Sequence, residues 1–431
     1  MTPAEILQRL IRFDTTNPPG NEAECIEFIR GLLEDNGIAS ELIAQVPGRP
    51  NLVARLEGGG SRAPLLVQGH VDVVTTSGQQ WTRPPFAGEL VDGYVWGRGA
   101  VDMKGPVAMM LGAVLRAKRE GTTLPGDVVL VVLADEEAGG DVGARFLAQE
   151  HAHLFEGVRY ALSEFGGFSL YVGGRRFYPV QVAEKQICWL KATVRGPGGH
   201  GALINRKGTM ARLGKLLRDL DRTPLPLHVT PVVRAFVEQI AGALPRPRRE
   251  VLLSLLKPRL GDPVLKLLGA QGRLIEPMLR NTVSATIVRA GEKINVVPSE
   301  VELELDGRAL PGFTPDDLMD ELRAVIGDDV ELELVRHDRG PPEPDLTHFD
   351  TLAGVLRELD PEGTPVPLLQ PGVTDARHFA PLGIQTYGFV PLRLPPEFEF
   401  LPLIHAADER VPIAALDFGA EAIFRAIQSV G

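Results

Sequence analysis

The chain has 431 residues and a formal net charge of −11, with 44% hydrophobic and 23% charged residues. This length exceeds what one ordinary hydrophobic core accommodates, so we expect two domains, and the composition is that of a globular rather than a disordered protein. The acidic balance argues against nucleic acid or an anionic membrane surface as the main partner.

The cysteine content and the N-terminal region indicate a cellular compartment. Cys25 and Cys188 are too few for a disulfide framework, which fits a reducing environment. The first residues lack the basic and then apolar stretches of a secretory signal. No apolar run reaches the roughly 18 residues that a membrane span requires. These features predict a cytoplasmic protein without a membrane partner.

The first part of the chain alternates apolar runs with helical segments. Residues 65–68, 127–134 and 160–162 are nearly continuous apolar runs, typical of strands that are buried on both faces of a parallel sheet. Residues 106–120 have a helical composition with a proline at the start, and residues 141–149 predict another helix. The pattern predicts an α/β fold with a mixed, mainly parallel sheet.

The middle of the chain changes to alternation of apolar and charged residues with a period of two. This pattern predicts an antiparallel sheet with one dry and one solvated face. Helices near residues 208–220 and 315–326 would cover the dry face. We interpret residues 183–338 as an inserted α+β domain of the ferredoxin-like, split βαβ type. Its predicted strands include three segments: 187–195, 300–306 and 330–334.

The inserted domain contains an excursion and is followed by a return to α/β character. Residues 223–280 are rich in Pro, Arg and Leu and predict a helical excursion with a packing role. Beyond residue 338, a strand at 383–390 and a helix at 414–429 resume the earlier pattern. Residues 1–182 and 339–431 therefore form two parts of one interrupted domain.

Polar side chains follow the three predicted parallel strands. His70 and Asp72 follow the first, Glu136 and Glu137 the second, and Glu164 the third. Sites in open α/β sheets form outside the carboxyl ends of the strands, and carboxylates left unpaired in such a cleft repel one another. A divalent cation relieves that repulsion, and imidazole with carboxylates suits zinc, with Mn²⁺ or Co²⁺ as substitutes.

Two further residues extend this set. Asp102 lies in the glycine-rich segment 97–105, where its carboxylate could bridge two metal ions, and His405 comes after the last predicted strand. Other histidines, including His151 and His153, lack a supporting constellation, and we do not expect them to bind metal.

Together with residues 13–22 (FDTTNPPGNE), these motifs resemble the M20 metallopeptidase family, which includes aminoacylase-1, acetylornithine deacetylase, succinyl-diaminopimelate desuccinylase and glutamate carboxypeptidase. The resemblance spans nearly the whole chain. It implies a zinc-binding catalytic domain, here 1–182 and 339–431, and a lid domain, here 183–338, that often forms a homodimer contact. The 223–280 excursion is similar to the longer, carboxypeptidase-S-like branch.

The resemblance also implies residue roles. His70 and Glu164 would bind one Zn²⁺, Glu137 and His405 would bind the other, and Asp102 would bridge them. Glu136 and Glu137 are adjacent and look alike in sequence, and the family pattern makes Glu136 the general base. The same pattern makes Asp72 the carboxylate that orients His70.

A second group of residues would contact the substrate. His200 in the loop 196–201 (GPGGHG) would steady the oxyanion, and Asn295 and Arg308 would hold a substrate carboxylate. Gly372 and Thr374 lie in a segment similar to the family's Gly-rich substrate loop. Simpler roles remain open, with Asn295 a turn residue, Arg308 part of a surface ion pair and His200 an exposed loop residue.

These inferences predict a dinuclear zinc-dependent hydrolase of amide bonds. The substrate would be a small N-acyl amino acid, a dipeptide or a peptide C-terminus with a free carboxylate, and the sequence does not separate the three. Two alternatives stay open. One is another metal-dependent hydrolase, such as a phosphatase or nuclease, and the other is a non-catalytic metal- or small-molecule-binding protein derived from such a hydrolase.

Overall fold

The structure is a computed structural model that describes residues 1–340 and 343–431. The chain divides into two compact units. Unit 1 comprises Met1–Val182, Asp345–Leu368 and Thr374–Gly431, and unit 2 comprises Ala183–Pro344 and Leu369–Val373. The sequence also predicts a linker at residues 341–344, of which Pro341 and Pro342 lie outside the described residues.

The α-helices are numbered in chain order: α1 (Pro3–Ile11), α2 (Ala23–Glu34), α3 (Lys104–Glu120), α4 (Ala144–Glu150), α5 (Thr209–Arg222), α6 (Pro231–Gly242), α7 (Arg248–Leu253), α8 (Gly261–Leu268), α9 (Ala270–Ile275), α10 (Pro315–Ile326), α11 (Phe349–Leu359), α12 (Ala376–Phe379) and α13 (Ile413–Ala426). Short 3-10 helices occur at Glu136–Ala138, Ala152–Phe155, Ser254–Leu256, Glu276–Met278, Ala380–Leu382 and Leu401–Leu403. None of the described helices has the length and apolar character needed to cross a membrane.

The strands are numbered in the same way: β1 (Ser40–Ile43), β2 (Asn51–Leu56), β3 (Leu65–His70), β4 (Glu89–Val91), β5 (Tyr94–Trp96), β6 (Val128–Leu133), β7 (Tyr160–Ser163), β8 (Leu170–Val172), β9 (Arg175–Glu184), β10 (Gln186–Arg195), β11 (Gly199–His200), β12 (Thr282–Ala290), β13 (Val296–Val297), β14 (Glu300–Ala309), β15 (Val330–Asp338), β16 (Gly363–Gln370), β17 (Gln385–Gly388) and β18 (Arg410–Pro412).

The large sheet has the strand order β1-β2-β6-β3-β7-β17-β9-β16. Its centre is parallel, since β3 pairs with β6 and β7, and β7 pairs with β17, in parallel register. The β2–β6 and β9–β17 pairs are antiparallel. The predicted mixed, mainly parallel sheet is therefore confirmed at its centre, and the ends of β3, β6 and β7 meet on one edge because the three strands run in the same direction.

The sequence explains why the central strands lie inside unit 1. Every residue of β6 is buried, as its unbroken apolar run predicts. Val129, Val131 and Leu133 pack with Leu147 of α4 on one face. Helix α3 begins two residues before the predicted start, at Lys104, and ends at Glu120. Gly121 caps it with a φ of 63°, a left-handed conformation that suits glycine.

Unit 2 contains a four-stranded antiparallel sheet with the order β12-β14-β10-β15. Along β14, apolar residues are buried and charged residues are partly exposed, as the alternation predicted. Leu303 and Leu305 pack with Leu216 of α5 and with Leu318 and Leu322 of α10, so two helices cover the dry face. Helices α6–α9 lie within residues 223–280.

Candidate metal centre

His70 is the last residue of β3, and its side chain is only 1% exposed. Its Nδ1 lies 3.0 Å from the backbone oxygen of Asp72 and 3.3 Å from the carboxylate of the same residue. A proton on Nδ1, which faces these two acceptors, would leave Nε2 to act as a metal ligand. Nε2 lies 3.4 Å from Asp102 Oδ1 and 3.5 Å from Glu164 Oε2.

The two adjacent glutamates lie in the 3-10 helix that follows β6. Asp135 begins this turn with a left-handed φ of 74°. The carboxylate of Asp72 accepts hydrogen bonds from the backbone N–H groups of Glu136 and Glu137, both at 3.1 Å. One buried carboxylate therefore fixes the orientation of His70 and also the backbone of the glutamate turn.

Asp102 lies between two histidines. Its Oδ1 is 3.4 Å from His70 Nε2, and its Oδ2 is 3.3 Å from His405 Nε2. The same His405 nitrogen lies 3.2 Å from Glu137 Oε2. A carboxylate that presents one oxygen to each of two imidazoles has the arrangement of a bridging ligand.

Two groups of side chains have the donor sets and spacing to hold a metal ion. The first is His70, Glu136 and Glu164, and the second is His70, Asp102 and Glu137, with ligand atoms within 4.8 Å of one another in each group. His70 Nε2 and Glu137 Oε1 are buried without a hydrogen-bond partner. A divalent cation would satisfy both atoms, so the residues present fit a metal site.

The carboxylates of this cluster repel one another when no cation neutralises them. Burial raises the pKa of Glu136 well above its usual range, and repulsion by Glu164 adds to the effect. Burial also raises the pKa of Glu137 to about 7. Hydrogen bonds to Asp102 and Glu137 raise the pKa of His405 to about 10. Protons and a divalent cation therefore compete for these groups.

A buried network that sequence reasoning missed supports the cluster from behind. Asn17 donates one hydrogen bond to Asp72 (2.9 Å) and one to Asp135 (3.1 Å). Arg49 pairs with Asp135 at 3.0 Å and with the fully buried Glu22 at 2.6 Å. Asn17 and Glu22 belong to the FDTTNPPGNE motif, which drew attention to the segment without giving these residues a role.

Glu409 is a second supporting residue that the sequence did not indicate. Its buried carboxylate accepts hydrogen bonds from the backbone N–H groups of Gly99 (2.9 Å), Val101 (2.6 Å) and Asp102 (3.0 Å). It also pairs with the buried Arg98 at 2.8 Å. The glycine-rich loop is thus fixed by a residue more than 300 positions later in the chain.

The segment containing Thr374 packs against the glutamate turn. Arg377 donates hydrogen bonds to the backbone oxygens of Gly139 (2.9 Å) and Thr374 (2.8 Å), and its Nη1 lies 3.9 Å from Glu136 Oε1. Asp375 is buried, and neither of its carboxylate oxygens has a hydrogen-bond partner. Burial raises the pKa of Asp375 to about 7. Sequence reasoning gave no role to Asp375 or Arg377.

The other predicted substrate residues lie in unit 2. His200 and Asn295 are exposed and lie on neighbouring loops, since Gly201 N–H donates to the backbone oxygen of Asn295 at 2.8 Å. Arg308 pairs with Asp306 at 2.7 Å, while its Nη1 is buried without a hydrogen-bond partner. Gly372 is partly exposed.

Comparison with protein families identifies the chain. The sequence profile of peptidase family M20/M25/M40 matches residues 66–429. The chain belongs to this family. M20 membership makes it a metal-dependent amidohydrolase of the peptidase and aminoacylase type, as the motifs predicted.

This M20 chain is similar in sequence to relatives of several kinds. It is 28% identical over 368 residues to probable carboxypeptidase S-like 2 of Dictyostelium discoideum, covering 82% of this chain and 69% of the relative. It is 28% identical over 386 residues to the human N-fatty-acyl-amino acid synthase/hydrolase PM20D1, covering 86% and 74%. It is 25% identical over 425 residues to pig (Sus scrofa) aminoacylase-1, covering 94% and 89%.

Solved M20 structures share the fold. The metallo-carboxypeptidase Sso-CP2 of Sulfolobus solfataricus superposes with a TM-score of 0.69 at 15% identity, covering 99% of this chain and 98% of that one. YXEP of Bacillus subtilis, described as a dinuclear metal-binding peptidase, superposes with a TM-score of 0.57 at 16% identity, covering 99% and 98%.

Proposed function

We propose that the protein is a dinuclear zinc-dependent hydrolase that cleaves the amide bond of small N-acyl amino acids or peptides. The observation that carries this proposal is the position of Asp102, whose two oxygens face His70 and His405 at 3.4 and 3.3 Å. Glu164 beside His70 and Glu137 beside His405 complete two sets of donors that one carboxylate joins. Such a pair of sites suits two Zn²⁺ ions, and Co²⁺ or Mn²⁺ could replace them.

Two cations at these positions would acidify a water molecule and polarise the substrate carbonyl. Glu136 would accept the proton of that water as its oxygen adds to the carbonyl carbon. It would then donate the proton to the leaving nitrogen as the C–N bond breaks. The raised pKa of this buried carboxyl suits a group that both accepts and releases a proton near neutral pH. Asp72 holds His70 in the required orientation.

Residues of the predicted substrate loops would complete the reaction. Following the family resemblance, we assign His200 to the oxyanion, and Asn295 and Arg308 to the substrate carboxylate. The buried Arg308 Nη1 without a hydrogen-bond partner supports a role in binding an anion. Gly372 and Thr374 would position the scissile amide.

A hydrolysis panel with defined metal content tests the proposal. The protein is stripped with a chelator, reloaded with two equivalents of Zn²⁺ per chain, and assayed on N-acyl amino acids, dipeptides and longer peptides. We expect amide cleavage that is lost on chelation and restored by zinc. Phosphomonoesters and phosphodiesters serve as the comparison. Cleavage of phosphoesters alone favours the other metal-dependent hydrolases, and zinc binding without any cleavage favours a non-catalytic binding protein.

We also propose that unit 2 acts as a lid and homodimerisation domain. Its neighbouring loops expose Leu203 (70%), Ile204 (87%) and Ile294 (fully exposed), which is a large apolar surface for two loops. Sedimentation velocity should show a dimer for the wild type and a monomer for Ile204→Glu. A monomeric wild type would contradict this assignment.

A further inference from the structure

An apolar pocket adjoins the candidate metal centre within unit 1. Ten residues line it, and eight of the ten are apolar. The two charged members, Asp102 and Glu164, both belong to the metal set. The pocket is therefore part of the space in which a substrate group beside the scissile bond would lie.

The chain builds this pocket from residues that flank the predicted ligands. Met103 follows Asp102, Phe165 follows Glu164, and Ile404 precedes His405. The same short segments that position the ligands therefore supply apolar side chains to one side of them. Any substrate group placed beside the metal set on this side contacts hydrocarbon and aromatic surface.

An aromatic cluster forms one wall. Phe165 makes an edge-to-face contact with Phe168 (5.6 Å between ring centroids), and Phe168 stacks on Phe400 (4.4 Å). Phe165 has a φ of 58°, a left-handed conformation that is costly for a bulky residue. Such a conformation persists where the surrounding packing imposes it, and the contact with Phe168 holds the Phe165 ring in the wall.

We propose that this pocket binds the acyl chain of the substrate and that the enzyme prefers N-acyl amino acids with an unbranched apolar acyl group over free dipeptides. This deepens the proposed amide hydrolysis and rests on it. A dipeptide carries an α-ammonium group next to the scissile carbonyl. Of the residues that line the pocket, those with a negative charge are committed to the metal ions. An ammonium there would lose its hydration without gaining a partner.

A pair of matched substrates isolates the ammonium group. Hexanoyl-leucine and norleucyl-leucine have the same chain and differ in whether the carbon beside the carbonyl carries an ammonium. With the zinc-loaded enzyme we expect hexanoyl-leucine to be preferred by about a hundredfold or more in kcat/KM. In the series acetyl-, butanoyl- and hexanoyl-leucine, each added methylene should raise kcat/KM by about two- to fourfold.

A second series of substrates tests whether the pocket binds the side chain of the amino acid instead of the acyl group. N-acetyl-alanine and N-acetyl-norleucine vary the side chain at a constant acyl group. If kcat/KM rises along this series but is flat along the acyl series, the pocket binds the side chain and the proposal is wrong. Equal hydrolysis of hexanoyl-leucine and norleucyl-leucine also overturns it.

Two variants test whether the dependence of kcat/KM on acyl length arises in the pocket. Phe400→Ala removes part of the aromatic wall and should lower the dependence on acyl length. Phe398→Ala is the matched control, because Phe398 lies in the same segment, stacks on Tyr94 and does not line the pocket. An unchanged dependence in Phe400→Ala contradicts the assignment.

Binding measurements on an inactive variant test the pocket independently of amide hydrolysis. Calorimetry with zinc-loaded Glu136→Gln measures the affinities of hexanoyl-leucine and norleucyl-leucine without turnover. Tighter binding of hexanoyl-leucine supports the pocket even if no amide is hydrolysed, whereas equal affinities count against the pocket whatever the enzyme cleaves.

Discussion

Asp72 Oδ2 accepts a hydrogen bond from the backbone N–H of Glu137 at 3.1 Å. The residue predicted to orient His70 thus also fixes the backbone of Glu137, a proposed ligand of the second metal ion. Since Asp72 is fully buried, no water can replace these contacts. The arrangement of both halves of the centre depends on this one carboxylate.

Asp72→Ala should weaken zinc binding about 10- to 100-fold, because both the histidine and the glutamate turn lose their anchor. Titration calorimetry of zinc into the metal-free protein measures the affinity. Asp72→Asn keeps one acceptor oxygen and should lie between the wild type and the alanine variant. A wild-type affinity in Asp72→Ala would contradict the anchoring role.

The adjacent glutamates should differ in what their loss removes. Glu136→Gln should lower kcat by about 10²- to 10⁴-fold, because the amide cannot accept the proton of the attacking water, while two zinc ions per chain are retained. Glu137→Gln should instead lose metal. Elemental analysis of dialysed protein and steady-state assays check both expectations. The reverse pattern, with metal lost in the first variant only, would exchange the two roles.

His405 should determine metal stoichiometry. His405→Ala should bind one tightly held zinc ion where the wild type binds two, because His70 and Glu164 still provide donors for the other position. Native mass spectrometry after dialysis counts the ions directly. His151→Ala is the control and should keep two ions, because the His151 ring packs against the rings of Phe146 and His153. Two ions in His405→Ala would remove this residue from the ligand set.

Arg49 should be important for stability. Its guanidinium lies between the buried carboxylates of Glu22 and Asp135, so Arg49→Met should leave uncompensated buried charge and lower the free energy of unfolding by about 3–5 kcal/mol. Arg55→Met is the matched control. Arg55 pairs with Asp127 but is 40% exposed, and its loss should cost about 1 kcal/mol or less. Urea denaturation measures the free energy of unfolding of both variants. Equal decreases in Arg49→Met and Arg55→Met would refute a special role for Arg49.

Asp375 should make the stability of the metal-free protein depend on pH. Its pKa rises from 3.8 to about 7 on folding because the group is buried. The stability that its bound proton contributes is fully present below pH 3.8 and is lost as the pH rises towards 7. Asp375→Asn should flatten that decline, which is on the order of 1.4 kcal/mol for each pH unit within this range.

Urea unfolding of the metal-free protein at several pH values measures this effect. The exposed Asp350→Asn is the control and should reproduce the wild-type slope. If Asp375→Asn declines as steeply as the wild type between pH 3.8 and 7, Asp375 is not the group responsible.

The parts of the site that the sequence predicted follow from local rules. His70 is the last residue of β3, Glu164 directly follows β7, and Glu137 comes four residues after β6. The parallel pairing of these strands brings their ends to one edge. The antiparallel sheet of unit 2 follows in the same way from its alternation along β10 and β14. These features depend on the order of residues within one strand.

The supporting residues could not be predicted because their partners are distant in sequence. Glu409 contacts the backbone of Asp102 across 307 positions, and Asn17 contacts Asp135 across 118. No local pattern distinguishes these side chains from ordinary surface polar residues. The apolar pocket has the same origin, since Val390 and Phe400 join Met103 and Phe165 only through the fold.

The two histidines of the centre differ in their access to solvent, with side-chain exposures of 1% for His70 and 50% for His405. An ion on the His405 side would meet water and chelators more readily than one on the His70 side. The two positions should therefore exchange metal at different rates. A partly stripped population would therefore keep the enclosed ion longer, and the rates at which a chelator removes the two ions would distinguish the positions.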